Sequence, residues 1–182
     1  MTVFGIDPGS ERTGYGCIET DGRRHRLVAC GAITSPAHTS FPKRLLAIHL
    51  ELGRLLAECR PDCVAIENLF YATNVRSALK LGHARGVAMV AAVAAGVPIA
   101  EYTPAEIKRA VVGYGRADKH QVQQMVKLLL GLAAVPSPHD AADALAVAIC
   151  HVHAQPPSRI VGAAQPARSK ATSWRTYRPA GR

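Results

Sequence analysis

The sequence predicts a mixed α/β sheet covered by helices on both faces, and two patterns predict it. Three strand-like runs come first, TVFGID, TGYGCIET and LVACGAIT, separated only by short turns. Two further apolar runs, DCVAIE and PIAEYT, are then set apart by stretches with helical periodicity.

The first run ends in Asp7 and breaks at once into Pro8 and Gly9. Between the second and third runs stands Asp21-Gly22, a turn signal that makes these strands an antiparallel hairpin or meander. The next stretch, KRLLAIHLELGRLLAECR, aligns Leu45, Ile48, Leu52, Leu55 and Leu56 on one helical face, and Pro61 stops it. DCVAIE is apolar nearly throughout, as a buried parallel strand is. A strand, a crossover helix and a strand imply parallel pairing inside the mixed sheet.

A long helix follows from Val75 to Ala95, carrying Leu79, Leu81, Val87, Met89, Val90 and Val93 among many small residues that allow close packing against a partner. PIAEYT leads into Thr103-Pro104-Ala105-Glu106, a capping box with proline at the first helical position. Asp118 and Gln121 form a second cap before KHQVQQMVKLLLGL. Ser137-Pro138-His139-Asp140 reads as a third, before AADALAVAICHVHA.

A chain of 182 residues suits one domain, here 1–155, followed by a tail. Residues 156–182 hold six basic residues and no acid, so the remainder keeps 16 basic against 13 acidic residues of a net charge of +9. That tail, rich in Pro, Ala, Arg and Ser, reads as disordered, either a solubilising extension or a loose polyanion contact. The start lacks the basic and apolar regions of a signal peptide, and the longest apolar stretch is too short to span a bilayer, so a cytoplasmic protein is expected. Five cysteines in neither zinc-ribbon nor redox spacing read as reduced thiols.

The chemistry rests on acids. Asp7 and Glu67 each end an apolar run with no adjacent base, and parallel strands side by side would bring both to one edge of the sheet, where open α/β sheets build sites. Asp140 and Asp143 are three apart and share a helical face. Asp140 has a structural explanation as a capping residue, but Asp143 lies in an apolar segment where an unpaired carboxylate would cost several kcal/mol. It needs a cation or several hydrogen bonds.

Four acids converging without matched bases repel one another, and divalent cations resolve the conflict. An all-oxygen set favours Mg²⁺ or Mn²⁺, and a pair about 4 Å apart suits hydrolysis of a nucleic-acid backbone. His139, beside Asp140, is either an exposed first-turn histidine or an auxiliary metal ligand or base, and His83 and His120 carry the same ambiguity.

Four segments then resemble the RuvC family of Holliday-junction resolvases: GIDPGSERTGYG at 5–16, IENLFYATNVRSALKLGHARGV at 66–87, PAEIKRAVVGYGRADKHQVQQMV at 104–126 and DAADALAVAICH at 140–151. The resemblance implies an RNase H-like fold, a homodimer, and Mg²⁺-dependent paired nicking of four-way DNA junctions in recombination and repair. Branch-migration proteins RuvA and RuvB are the partners it implies. Its catalytic and metal-binding acids fall on Asp7, Glu67, Asp140 and Asp143, and some members carry histidine at the third position. Its DNA-contacting lysines fall on Lys108 and Lys119, and its base-stacking aromatic falls on Phe70, with Tyr71 beside it.

Lys119 sits in a helical first turn that disfavours a cation, so phosphate contact explains it better than structure does. Two other readings fit part of the pattern. A non-cleaving junction-binding module would need no acid cluster, and an actin-like phosphotransferase lobe would need a second lobe that the chain lacks.

Overall fold

The computed structural model describes residues 1–68 and 74–154. Five strands and five helices follow in the order β1 (Thr2–Asp7), β2 (Arg12–Thr20), β3 (His25–Thr34), α1 (Phe41–Cys59), β4 (Cys63–Glu67), α2 (Val75–Ala94), β5 (Ile99–Tyr102), α3 (Pro104–Val112), α4 (Lys119–Leu129) and α5 (His139–Ala154). The sheet order is β3-β2-β1-β4-β5. The first three strands pair antiparallel, whereas β4 pairs parallel with β1 and β5 parallel with β4. This is the mixed, five-stranded sheet that the sequence predicts, with the crossover at the expected place.

Strand periodicity sorts side chains between two layers. Phe4, Ile6, Cys17, Val64 and Ile66 face α1 and α2, where Ile48, Leu52, Leu55 and Leu56 complete the core. Val3, Ile18 and Ala65 face the other way, against α3, α4 and α5. Helix α5 is buried almost all round, from Ala141 to Val152 except for Asp143.

That burial depends on glycine. A Cβ at Gly5 of β1 would fall on the carbonyl oxygen of Ala144, and one at Gly14 of β2 on that of Asp140. At Gly16 it would lie 2.6 Å from Leu145 Cγ. Gly5 and Gly16 are register partners, and Gly14 is the partner of Asp7. These glycines form a flat patch on which the backbone of α5 rests directly.

Helix α2 hides small residues and shows large ones. Ala84, Ala88, Ala91 and Ala92 are its buried positions, while Leu79, Val90 and Val93 are 60%, 59% and 68% exposed. The capping boxes of α3 and α4 form as the sequence predicts. The third, at Ser137 to Asp140, does not. Helix α5 begins at His139, so the residue before it is Pro138, which has no N–H for the Asp140 carboxylate to accept from.

Gly5→Ala is expected to push α5 off the sheet and lower unfolding free energy by about 1–3 kcal/mol, read from urea midpoints. An unchanged midpoint would show that α5 does not need this contact.

Candidate active site

The two strand-end acids are neighbours by register. Parallel pairing of β1 with β4 runs through Ile6 and Ile66, so Asp7 and Glu67 each follow the last matched pair at the same sheet edge. Alternation turns both toward α5: Asp7 shares the face of Val3 and Gly5, and Glu67 that of Ala65. From α5, the backbone of Asp140 rests on Gly14, the partner of Asp7, and Asp143 follows one turn along.

Crowding marks the electrostatics. The Asp7 carboxyl is pushed up from 3.8 to about 8, foremost by burial, then by the charges of Glu67 and Asp143, a hydrogen bond to Glu67 and the charge of Asp140. Glu67 is also raised, again mainly by burial, although its hydrogen bond with Asp7 and the nearby Lys108 and Lys119 pull it down. Both carboxyls are thus raised, chiefly by burial, so the pair resists full ionisation.

The acids are not without a matched base. Lys119 Nζ stands 2.7 Å from Asp143 Oδ2. That contact is the chief reason why the Lys119 ammonium titrates above its ordinary value. The cation that Asp143 needs is thus supplied by α4, a segment that the local sequence around Asp143 does not contain. The expected repulsion is present, since the charge of Asp143 raises both Asp7 and Glu67, but the expected absence of a matched base fails at Asp143.

Glu67, Asp143, Lys108 and Lys119 open into one cavity of about 260 Å³, walled by Pro104, Ile107, Val122 and Ala146. Among the described residues, no three His, Cys, Asp or Glu side chains converge tightly enough to hold one ion as they stand. Asp7 and Glu67 share a proton and Lys119 occupies Asp143. By donor chemistry the set fits a hard divalent cation, since all four acids offer oxygen and Asp7 resists ionising without added positive charge.

The other candidates separate clearly. His139 is exposed at the first residue of α5, and no hydrogen bond reaches its ring among the described residues. His120 sits 3.3 Å from the Gln124 amide on the surface of α4. His83 lies edge-on to Phe41, with ring centroids 5.9 Å apart. Phe70 and Tyr71 lie outside the described residues, as does the 156–182 tail.

Two features escaped the sequence reading. One is the pairing of Lys119 with Asp143, which leaves no local signal. The other is that Gly14 and Gly16 seat a helix, although the two already sit at the period-two spacing of one strand face.

An RNase H-like sheet with acids at the carboxyl ends of β1 and β4, roofed by a helix bearing two more, defines an α/β nuclease domain. The family model described as "Crossover junction endodeoxyribonuclease RuvC" matches residues 3–151, and the chain belongs to that family. A RuvC of Alkaliphilus oremlandii is 56% identical over 153 residues, covering 84% of this chain and 93% of that protein. One of Trichlorobacter lovleyi is 50% identical over 179 residues, covering 98% of this chain and all of its own. The solved Thermus thermophilus RuvC superposes with a TM-score of 0.78 at 36% identity, over 84% of this chain and 94% of that one. The same protein in complex with Holliday junction substrate gives 0.76 at 35% identity, over 84% and 93%.

Asp7 makes a stability prediction whose sign is fixed. Its folded-state value lies above the ordinary 3.8, so the folded protein binds the extra proton, and stability without divalent ions falls as pH rises from there to about 8. Asp7→Asn is expected to flatten that fall and to raise stability in EDTA at neutral pH by about 0.5–2 kcal/mol. Melting curves across pH measure it, and a less stable Asn variant would refute the electrostatic account.

Proposed function

We propose that this chain resolves four-way DNA junctions by paired, symmetric nicks, hydrolysing one phosphodiester at each of two copies of this site during recombination and repair. The observation that carries the reading is the convergence of Asp7, Glu67, Asp140 and Asp143 at one sheet edge in a chain of the RuvC family. These four would hold Mg²⁺, with Mn²⁺ able to substitute, as two ions per site. Such ions supply positive charge to the attacking and leaving oxygens.

The protein's own groups do the positioning. Lys108 and Lys119, both at the cavity, would contact the backbone phosphate. Phe70 would stack on a base opened at the crossover, with Tyr71 beside it, an interaction worth roughly 1–3 kcal/mol. His139 receives no assigned step.

A two-fold dimer suits a substrate with near two-fold symmetry. The α1–α2 side favours such an interface: Leu46, Leu79 and Val90 line an open apolar groove of about 730 Å³, and all three are more than half exposed. RuvA and RuvB are the branch-migration partners that fit this task. A cytoplasmic setting accords with five unpaired cysteines. No helix among the described residues is long and apolar enough to cross a membrane.

Purified protein incubated with synthetic four-way DNA should give symmetric nicks with Mg²⁺ and none with EDTA. Asp7→Asn should lower the rate by at least about a thousandfold while leaving junction binding intact. Equal cutting of linear duplex, or full activity in the Asn variant, would overturn the reading. For the dimer, Val90→Lys should shift sedimentation toward the monomer, since it buries a charge in the apolar groove. An unshifted profile would place the interface elsewhere.

A further inference from the structure

The ammonium of Lys119 occupies the carboxylate that a divalent cation would need. Its backbone is fixed: Asp118 caps α4, accepting from the Gln121 amide at 2.8 Å and donating to Gln121 Oε1 at 3.0 Å. Val122 and Val126 anchor the helix in the core. The side chain by contrast is held only at its tip, 60% exposed along four methylenes, while that of Asp143 is 21% exposed. A fixed root, a swinging arm and a sheltered partner describe a group that can move between two anions.

Resting on the metal reading above, we propose that Lys119 is a resident counter-ion for Asp143. It leaves when a DNA phosphate takes its ammonium, so that substrate binding and divalent-ion binding reinforce each other. Held by Lys119, Asp143 is neutralised, and an incoming ion must displace a 2.7 Å charge-assisted contact. A backbone phosphate in the shared cavity offers the lysine an alternative partner and frees the carboxylate. Linkage makes the effect reciprocal: whatever factor the phosphate adds to ion affinity, the ion adds to phosphate affinity. The free protein then loads its ions weakly, and the site completes itself on DNA.

The test is Mn²⁺ binding to the full chain without DNA, by titration calorimetry, for wild type, Lys119→Met, Lys119→Arg and Asp143→Asn. Lys119→Met should bind Mn²⁺ about three- to tenfold more tightly than wild type, because it lacks the competing charge. Lys119→Arg keeps that charge and should remain near wild type. Junction affinity measured with Ca²⁺ and with EDTA should rise with the ion in wild type, and by a smaller factor in Lys119→Met. No gain in Mn²⁺ affinity for Lys119→Met overturns the counter-ion role and leaves the nuclease reading standing. Cutting that persists in EDTA, with Mn²⁺ affinity the same in wild type and Asp143→Asn, would sink the metal reading and this proposal with it.

Discussion

The close seating of α5 on the glycine patch of β1 and β2 is the constraint on which the rest of this structure depends. Side chains at Gly5, Gly14 or Gly16 would hold the helix away from the sheet. Helix α5 carries two of the four acids, so a small shift would carry Asp140 and Asp143 away from Asp7 and Glu67. Packing and chemistry are therefore one problem here: the contact that buries Leu145, Val147 and Ile149 also sets the spacing of the carboxylates. Close-packed interiors transmit such displacements instead of absorbing them.

The site gathers charges that would not assemble for stability alone. Burial and neighbouring carboxylates push the Asp7 carboxyl up to about 8, and the ammonium groups of Lys119 and Lys108 partly relieve the crowding at Asp143 and Glu67. Strongly perturbed carboxyls of this kind cluster at functional sites. The lysines reach the cavity from α3 and α4, two short helices whose capping boxes fix their starts. Charge balance is supplied by elements remote in sequence from the acids that they balance.

The opposite face of the sheet follows different logic. Helix α2 turns alanines inward, which lets it sit close to α1 and the sheet, and leaves larger aliphatic side chains in solvent. A face built this way presents an exposed apolar strip, while the acids gather at the edge of the opposite face.

By itself the sequence determined the strands, the helices and the parallel crossover, and it singled out four acids that the fold brings to one sheet edge, because these follow from local periodicity, turn chemistry and short motifs. Asp7 after an apolar run and Asp143 inside one were conspicuous for the same reason: a carboxylate out of keeping with its neighbours has to be explained. Two caps were legible as well, whereas the third failed where proline removed the donor that its pattern assumes. Tertiary structure decided what depends on distance between remote segments: that Lys119 belongs to Asp143, that the glycines serve α5, and that Asp7 keeps its proton. Periodicity is written residue by residue, but the partner of a buried charge is set by which helix packs over it.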